Sequence, residues 1–233
     1  MTPKQKSSFL ENGCLYIPGA LSKGVVHPVK AHVKNELKRL NIWSGGRTLS
    51  RKFKEIPVFQ QTVKLGQLIN YPNLNERLIS EELYSGMCQL AGKPLSAQKG
   101  QLLISLPHHV DWSLEGLNWH RDISKSQLGG MPGVQAFVLL DDVSAKGGAT
   151  LALAGSHRLS SQSQAKQAIS RLTGDGVDDS VNSVNVDGTE LSLIEMAGRA
   201  GDVYLMDMRL LHTPSINSTK NLRMMATSRY FLV

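Results

Sequence analysis

The stretch Val134-Gln135-Ala136-Phe137-Val138-Leu139-Leu140 decides the fold. It is apolar and carries β-branched residues, and it stops at Asp141-Asp142. Such a run reads as a buried strand. Working outward, Gln101-Leu102-Leu103-Ile104-Ser105-Leu106 is a strand that ends at Pro107, and Thr150–Ala154 is another, after Gly147-Gly148. Leu191–Met196, Asp202–Met208 and Arg223–Val233 continue the series between Gly, Pro, Asn and Asp turns. Many short strands at this spacing predict a β-sandwich or barrel. Residues 157–190 interrupt the series with Ser, Gln, Asn, Asp and Gly around a helical patch near Gln164–Leu172. This excursion reads either as a lid or binding loop, or as a surface insertion.

Upstream, the first hundred residues read as mainly helical. Residues 4–12 suit a short helix, and Leu15–Gly19 a brief extended piece. From Val25 to Leu40, apolar residues recur at helical spacing (Val29, Val33, Leu37, Leu40). Residues 58–70 and 74–91 also look helical, with Pro57, Pro72 and Pro94 as punctuation. The expectation is one α+β domain over 1–233. It has a helical flank over 1–100 and a mainly β core over 101–233.

The 233 residues include 41% hydrophobic ones, enough for a core, which argues against wholesale disorder. No stretch approaches the roughly 18 apolar residues a membrane helix needs. Cys14 and Cys88 lack metal or disulfide-scaffold spacing, and the opening residues are polar. A reduced, cytoplasmic protein is expected. Lys and Arg number 26 against 19 Asp and Glu, a formal charge of +7, spread without a basic run. This favours acidic partners without choosing among them.

The chemistry begins at Trp119-His120-Arg121-Asp122. On an extended chain His120 and Asp122 project to one face and can grip one metal. His212, at the end of the apolar run Asp202–Leu211, adds a second imidazole. Two imidazoles and a carboxylate suit non-haem Fe(II) with positions left open. Eleven residues later, Arg223 shares a strand face with Met225, Thr227 and Arg229. An inward arginine is costly unless an anion meets it, and a carboxylate is the natural partner.

Together these residues resemble the phytanoyl-CoA dioxygenase-like family of Fe(II)/2-oxoglutarate oxygenases. Its core carries an H-x-D…H triad and an arginine about eleven residues past the distal His. Val134–Val143 resembles the family strand ending in L-D-D-V. Gly147–Arg158 resembles its N-G-A-L…P-G-S-H-R segment, with Ala154 where Pro is usual. Ala200-Gly201-Asp202-Val203 resembles its P-G-D-V turn, and Phe9–Gly13 and Ile17–Ser22 its opening. The resemblance is densest over 117–231, while 23–100 and 157–190 have no distinctive counterpart.

The resemblance implies a double-stranded β-helix with N-terminal helices packed on one sheet. It implies Fe(II) held by His120, Asp122 and His212, with 2-oxoglutarate and dioxygen as co-substrates. Arg223 would clamp the distal carboxylate, with Thr213 or Thr227 adding a hydroxyl, and Gln135 would touch the other end. Trp119, Trp112 and His108 are candidates for the substrate wall. His109 stands beside His108, and the bland alternative for all four is packing or a surface loop. Arg121 points away from the ligands, His157 reads as structural, and Arg229 is placed to meet an internal carboxylate or a substrate anion.

The implied reaction is hydroxylation of a small-molecule metabolite, with release of succinate and CO2; the +7 charge weakly favours an anionic metabolite and also fits a neutral one. Desaturation, epoxidation or cyclisation are the variants, and the retained Asp122 argues against halogenation. Two rivals use the same scaffold. One is an AlkB-like nucleic-acid demethylase, disfavoured because the L-D-D-V and G-S-H-R segments belong to the other group. The second is a non-catalytic metal-binding protein. Signatures of nucleotide hydrolysis, Rossmann redox chemistry, zincins and α/β-hydrolases are absent from the sequence.

Overall fold

A computed structural model describes residues 1–108, 110–124, 127–174 and 182–233. His109 and the middle of the excursion, 175–181, lie outside them. Two antiparallel sheets form the core, giving the jelly-roll double-stranded β-helix. The larger orders β1 (Cys14–Ile17), β10 (Val203–Asp207), β6 (Gly133–Leu139), β12 (Arg223–Leu232) and β4 (Leu95–Ala97). Beside β4, β5 (Gln101–Ser105) also pairs with β12. The smaller orders β11 (His212–Pro214), β7 (Thr150–Ala154), β9 (Thr189–Glu195) and β8 (Ser183–Val186).

β6 sits centrally and is buried along its whole length, which is why its sequence reads as one apolar run. Period-2 alternation sends Val134, Ala136 and Val138 outward, where helices cover them. Phe137 and Leu139 turn inward, with Met206 and Met225, to fill the space between the sheets.

The outer face of the larger sheet is covered by α1 (Pro3–Asn12), α2 (Lys23–Arg39), α4 (Val58–Leu68) and α6 (Glu81–Ala91), with short α3 (Arg51–Glu55), α5 (Leu74–Leu78) and the β2–β3 ribbon (Trp43–Ser44, Arg47–Thr48) between them. Thr2 opens α1 through a capping box with Gln5. The apolar stripe expected over Val25–Leu40 is the buried face of α2: Val26, Val29, Val33 and Leu37. The single helix expected over 74–91 divides instead into α5 and α6. Ser80 causes the break, because its hydroxyl accepts the Leu83 N–H and caps α6.

The excursion also differs from a free loop. α7 (Gln162–Thr173) sinks Ala165, Ala168 and Leu172 into an apolar cluster over the smaller sheet. β8 extends that sheet through a hairpin at Asp187-Gly188, both with positive φ.

The run Asp202–Leu211 is not one continuous strand. The strand stops at Asp207, whose carboxylate accepts the Arg209 N–H and pairs with its guanidinium. The chain turns there and crosses, so His212 opens β11 on the other sheet. Among the described residues, no helix is long and apolar enough to cross a membrane.

Candidate metal centre and its cavity

His120, from a loop, and His212, at the start of β11, meet in a single antiparallel bridge. Each backbone N–H donates to the other residue's carbonyl at 3.0 Å. His120 is therefore not in a regular strand. The bridge fixes the two rings 4.4 Å apart. Nδ1 of His120 lies 2.7 Å from the Asn118 carbonyl, and Nδ1 of His212 lies 3.2 Å from that of Leu210. A carbonyl only accepts, so Nδ1 carries the proton and Nε2 offers its lone pair to the cavity.

Asp122 faces both rings, with Oδ1 3.8 Å from His120 Nε2 and Oδ2 3.6 Å from His212 Nε2. The three ligand atoms lie within 4.8 Å of one another. Burial, then the neighbouring His212, lowers the His120 pKa and favours the neutral imidazole a metal needs. Burial alone would raise the Asp122 carboxyl. His212 and Arg229 outweigh that and hold it well below the usual carboxylate range.

Arg223, at the start of β12, is 2% exposed. Its Nε donates to the Gly148 carbonyl (2.6 Å) and Nη1 to that of Leu103 (2.9 Å). Nη2 is buried and has no hydrogen-bond partner among the described residues. Gly148 has φ +76°, and a Cβ there would press on Asn217, so glycine lets this carbonyl reach the guanidinium. Burial pushes Arg223 down to about 9, the mark of a buried cation lacking an anion. The chemistry of the donor set thus fits a divalent metal at one place in the cavity and a carboxylate at another.

The cavity holds about 210 Å³ and is lined by the triad, Arg223, Gln135, Thr227 and Arg229. The Gln135 amide nitrogen donates to the Thr227 hydroxyl, which donates to the Ala136 carbonyl; Gln135 Oε1 is buried without a partner among the described residues. Thr213 lies elsewhere. Alternation along β11 turns it away from His212, and its hydroxyl bonds the Pro214 carbonyl. The hydroxyl that lines the cavity from the smaller sheet is instead that of Thr150, on β7.

Trp112 and Trp119 do not line the cavity but pack against the cluster under α7. His108 stands outside too, with Nε2 3.0 Å from the amide nitrogen of buried Gln61. The wall the sequence reading missed is on α4. Phe59, Thr62 and Val63 share one helical face and line the cavity, and Phe59 meets His120 edge-on at 5.7 Å. Their signal was the 3–4 spacing alone, which every helix face shares.

Arg121 points away from the ligands and donates to the Ser156 and Leu159 carbonyls, tying the H-x-D loop to the turn after β7. His157 is buried against the Leu10 carbonyl and is no part of the triad.

The phytanoyl-CoA dioxygenase (PhyH) family model matches residues 9–225, and the chain belongs to this family. Solved structures share its fold. The non-heme α-ketoglutarate-dependent carbocyclase SnoK from nogalamycin biosynthesis aligns with TM-score 0.64 and 19% identity, over 99% of this chain and 84% of that one. AviO1 from Streptomyces viridochromogenes aligns at 0.65 and 16%, over 98% and 93%. HygX from Streptomyces hygroscopicus, solved with nickel and 2-oxoglutarate bound, aligns at 0.61 and 20%, over 100% and 88%. No curated protein matches.

Proposed function

We propose that this chain is an Fe(II)- and 2-oxoglutarate-dependent dioxygenase that hydroxylates a small-molecule metabolite, with release of succinate and CO2. One observation carries the reading: the three-ligand cluster and a buried, partly unpartnered guanidinium line the same cavity. His120, Asp122 and His212 would hold the metal through two imidazole nitrogens and a carboxylate. Arg223 would hold the distal carboxylate of 2-oxoglutarate, which supplies the anion its Nη2 lacks. When bound, iron with its co-substrates supplies the oxidising power that removes a substrate hydrogen atom.

The chain's own residues set the stage for that chemistry. The Nδ1 contacts of the two histidines fix ring orientation before any metal arrives. Gln135 and Thr227, bonded to each other, form a polar strip beside the co-substrate. Phe59 and Val63 give the substrate an apolar wall. HygX has also been solved with hygromycin B bound, and a small molecule is likewise the substrate class proposed for this chain.

Charge supports an anionic substrate. Among the described residues, two guanidinium groups and one carboxylate line the cavity, one positive charge in surplus. A divalent metal and a 2-oxoglutarate dianion cancel each other and leave that surplus in place. A cytoplasmic setting is part of the same reading and fits two unpaired cysteines.

The test is aerobic turnover of 2-oxoglutarate by purified protein with Fe(II) and ascorbate. Slow succinate formation is expected without added substrate, and none in His212→Ala. Succinate formed equally by both proteins would contradict the reading.

A further inference from the structure

Asp122 sits in a loop without strand pairing, and among the described residues both hydrogen-bonding contacts that hold it come from Arg229. Nε and Nη2 of that guanidinium lie 2.8 and 2.7 Å from the same oxygen, Oδ2. No hydrogen bond from the described residues ends on Oδ1. Arg229 itself is on β12, opposite Gln135 in the sheet register, a far stiffer mount than the loop.

We propose that Arg229 is a positioning residue that keeps Oδ2 occupied, so that Asp122 meets the metal through Oδ1 alone. This rests on the reading of the site given above. The consequence is a count of positions. Two imidazoles and one oxygen use three places of a six-coordinate metal. The chelating co-substrate takes two more, and one is left for dioxygen. A carboxylate bound through both oxygens would fill that last place or displace the co-substrate. The fixed fork of arginine suits this task, since two donors on one oxygen restrain rotation of the carboxylate.

The test uses the full chain loaded anaerobically with Co(II) in place of Fe(II). A crystal structure of this form reports how Asp122 binds, and titration with 2-oxoglutarate, followed by the cobalt visible bands, reports co-substrate affinity. In wild type, one Asp122 oxygen on the metal is expected, with the other still on Arg229. In Arg229→Ala, two oxygens on the metal are expected and 2-oxoglutarate affinity about tenfold weaker, in the range typical of outer-shell changes. Arg229→Lys should restore most of that affinity, because an ammonium still gives Oδ2 a charged donor.

A merely structural Arg229 would lower the melting temperature without changing ligation or co-substrate affinity in the folded protein. That outcome, or a wild-type structure with both oxygens on the metal, overturns the proposal. If Arg229→Ala does not fold, the wild-type structure and the Lys variant decide. Wild-type protein that binds no Co(II) at the triad, or binds it but gives no response to 2-oxoglutarate, marks failure of the site reading itself.

Discussion

Two helices of nearly equal length, α4 and α7, lie on different sheets and have opposite relations to the cavity. α7 comes from the excursion over 157–190, which reads in sequence either as a lid or as a surface insertion. Its Ala165, Ala168 and Leu172 are buried over the smaller sheet, and none of its residues lines the cavity. α4 comes from the helical flank and gave no functional signal. It supplies Phe59, Thr62 and Val63 to the cavity wall.

Gly66 explains the placement of α4: a Cβ there would collide with the Leu102 carbonyl, so only glycine lets the helix lie this close on β5. Periodicity tells that a helix buries a face. It does not tell whether the face meets an apolar cluster or a cavity.

This contrast can be broken by mutation. Leu172→Ala should destabilise the fold by about 2–5 kcal/mol, as burial and a new cavity dictate, yet leave 2-oxoglutarate affinity of the folded protein unchanged. Denaturant unfolding and a co-substrate titration check both halves. Arg223→Met should do the reverse. At 100 times its wild-type dissociation constant, 2-oxoglutarate should stabilise metal-loaded wild type by about 2.7 kcal/mol and the variant far less. Thermal unfolding with and without co-substrate reads this directly.

Gly66→Val should push α4 off β5, costing about 1–3 kcal/mol by overpacking. If α4 forms the wall, it should also loosen co-substrate turnover from substrate oxidation, seen as succinate in excess of product. Phe59→Ala should have the smallest effect on stability, since Phe59 is 38% exposed. It should change substrate-dependent turnover while sparing co-substrate affinity. If Phe59→Ala leaves coupling intact and changes in α7 disturb it, the contrast is wrong.

A pH experiment probes the frame outside the cavity. Asp202 accepts hydrogen bonds from Tyr16 (2.6 Å), Gly19 (2.7 Å) and Arg199 (2.7 Å). Burial alone would raise its carboxyl, but these donors outweigh it and hold the pKa below the usual value. A carboxyl depressed in the fold contributes stability that is complete above about pH 4 and lost as pH falls through the folded value. Asp202→Asn should therefore cost about 1–3 kcal/mol at neutral pH, with the difference from wild type shrinking below about pH 4.

Much of this was legible in sequence because it is local. β6, β7, β10 and β12 follow from apolar runs ended by Gly, Asp and Pro. His120 and Asp122 stand two residues apart, and Arg223, Thr227 and Arg229 share a face by simple alternation. What failed was what depends on crossing between sheets. Asp207 ends a run that looked continuous through Leu211, and this sends His212 to the other sheet and turns Thr213 away from the cavity. Thr150 was unreadable for the same reason, because its side of β7 is set by pairing with β11. Trp112 and Trp119 looked suited to a substrate wall because aromatics are, but their loops fold onto the α7 cluster.

In the function proposed, one cavity holds a divalent metal at His120, Asp122 and His212 and 2-oxoglutarate at Arg223. The most direct measurement is the anaerobic visible spectrum of the protein with Fe(II), titrated with 2-oxoglutarate, in wild type and Arg223→Met. A weak charge-transfer band should saturate in wild type and need far more co-substrate in the variant. Iron bound without any band, or a band indifferent to Arg223, would contradict it.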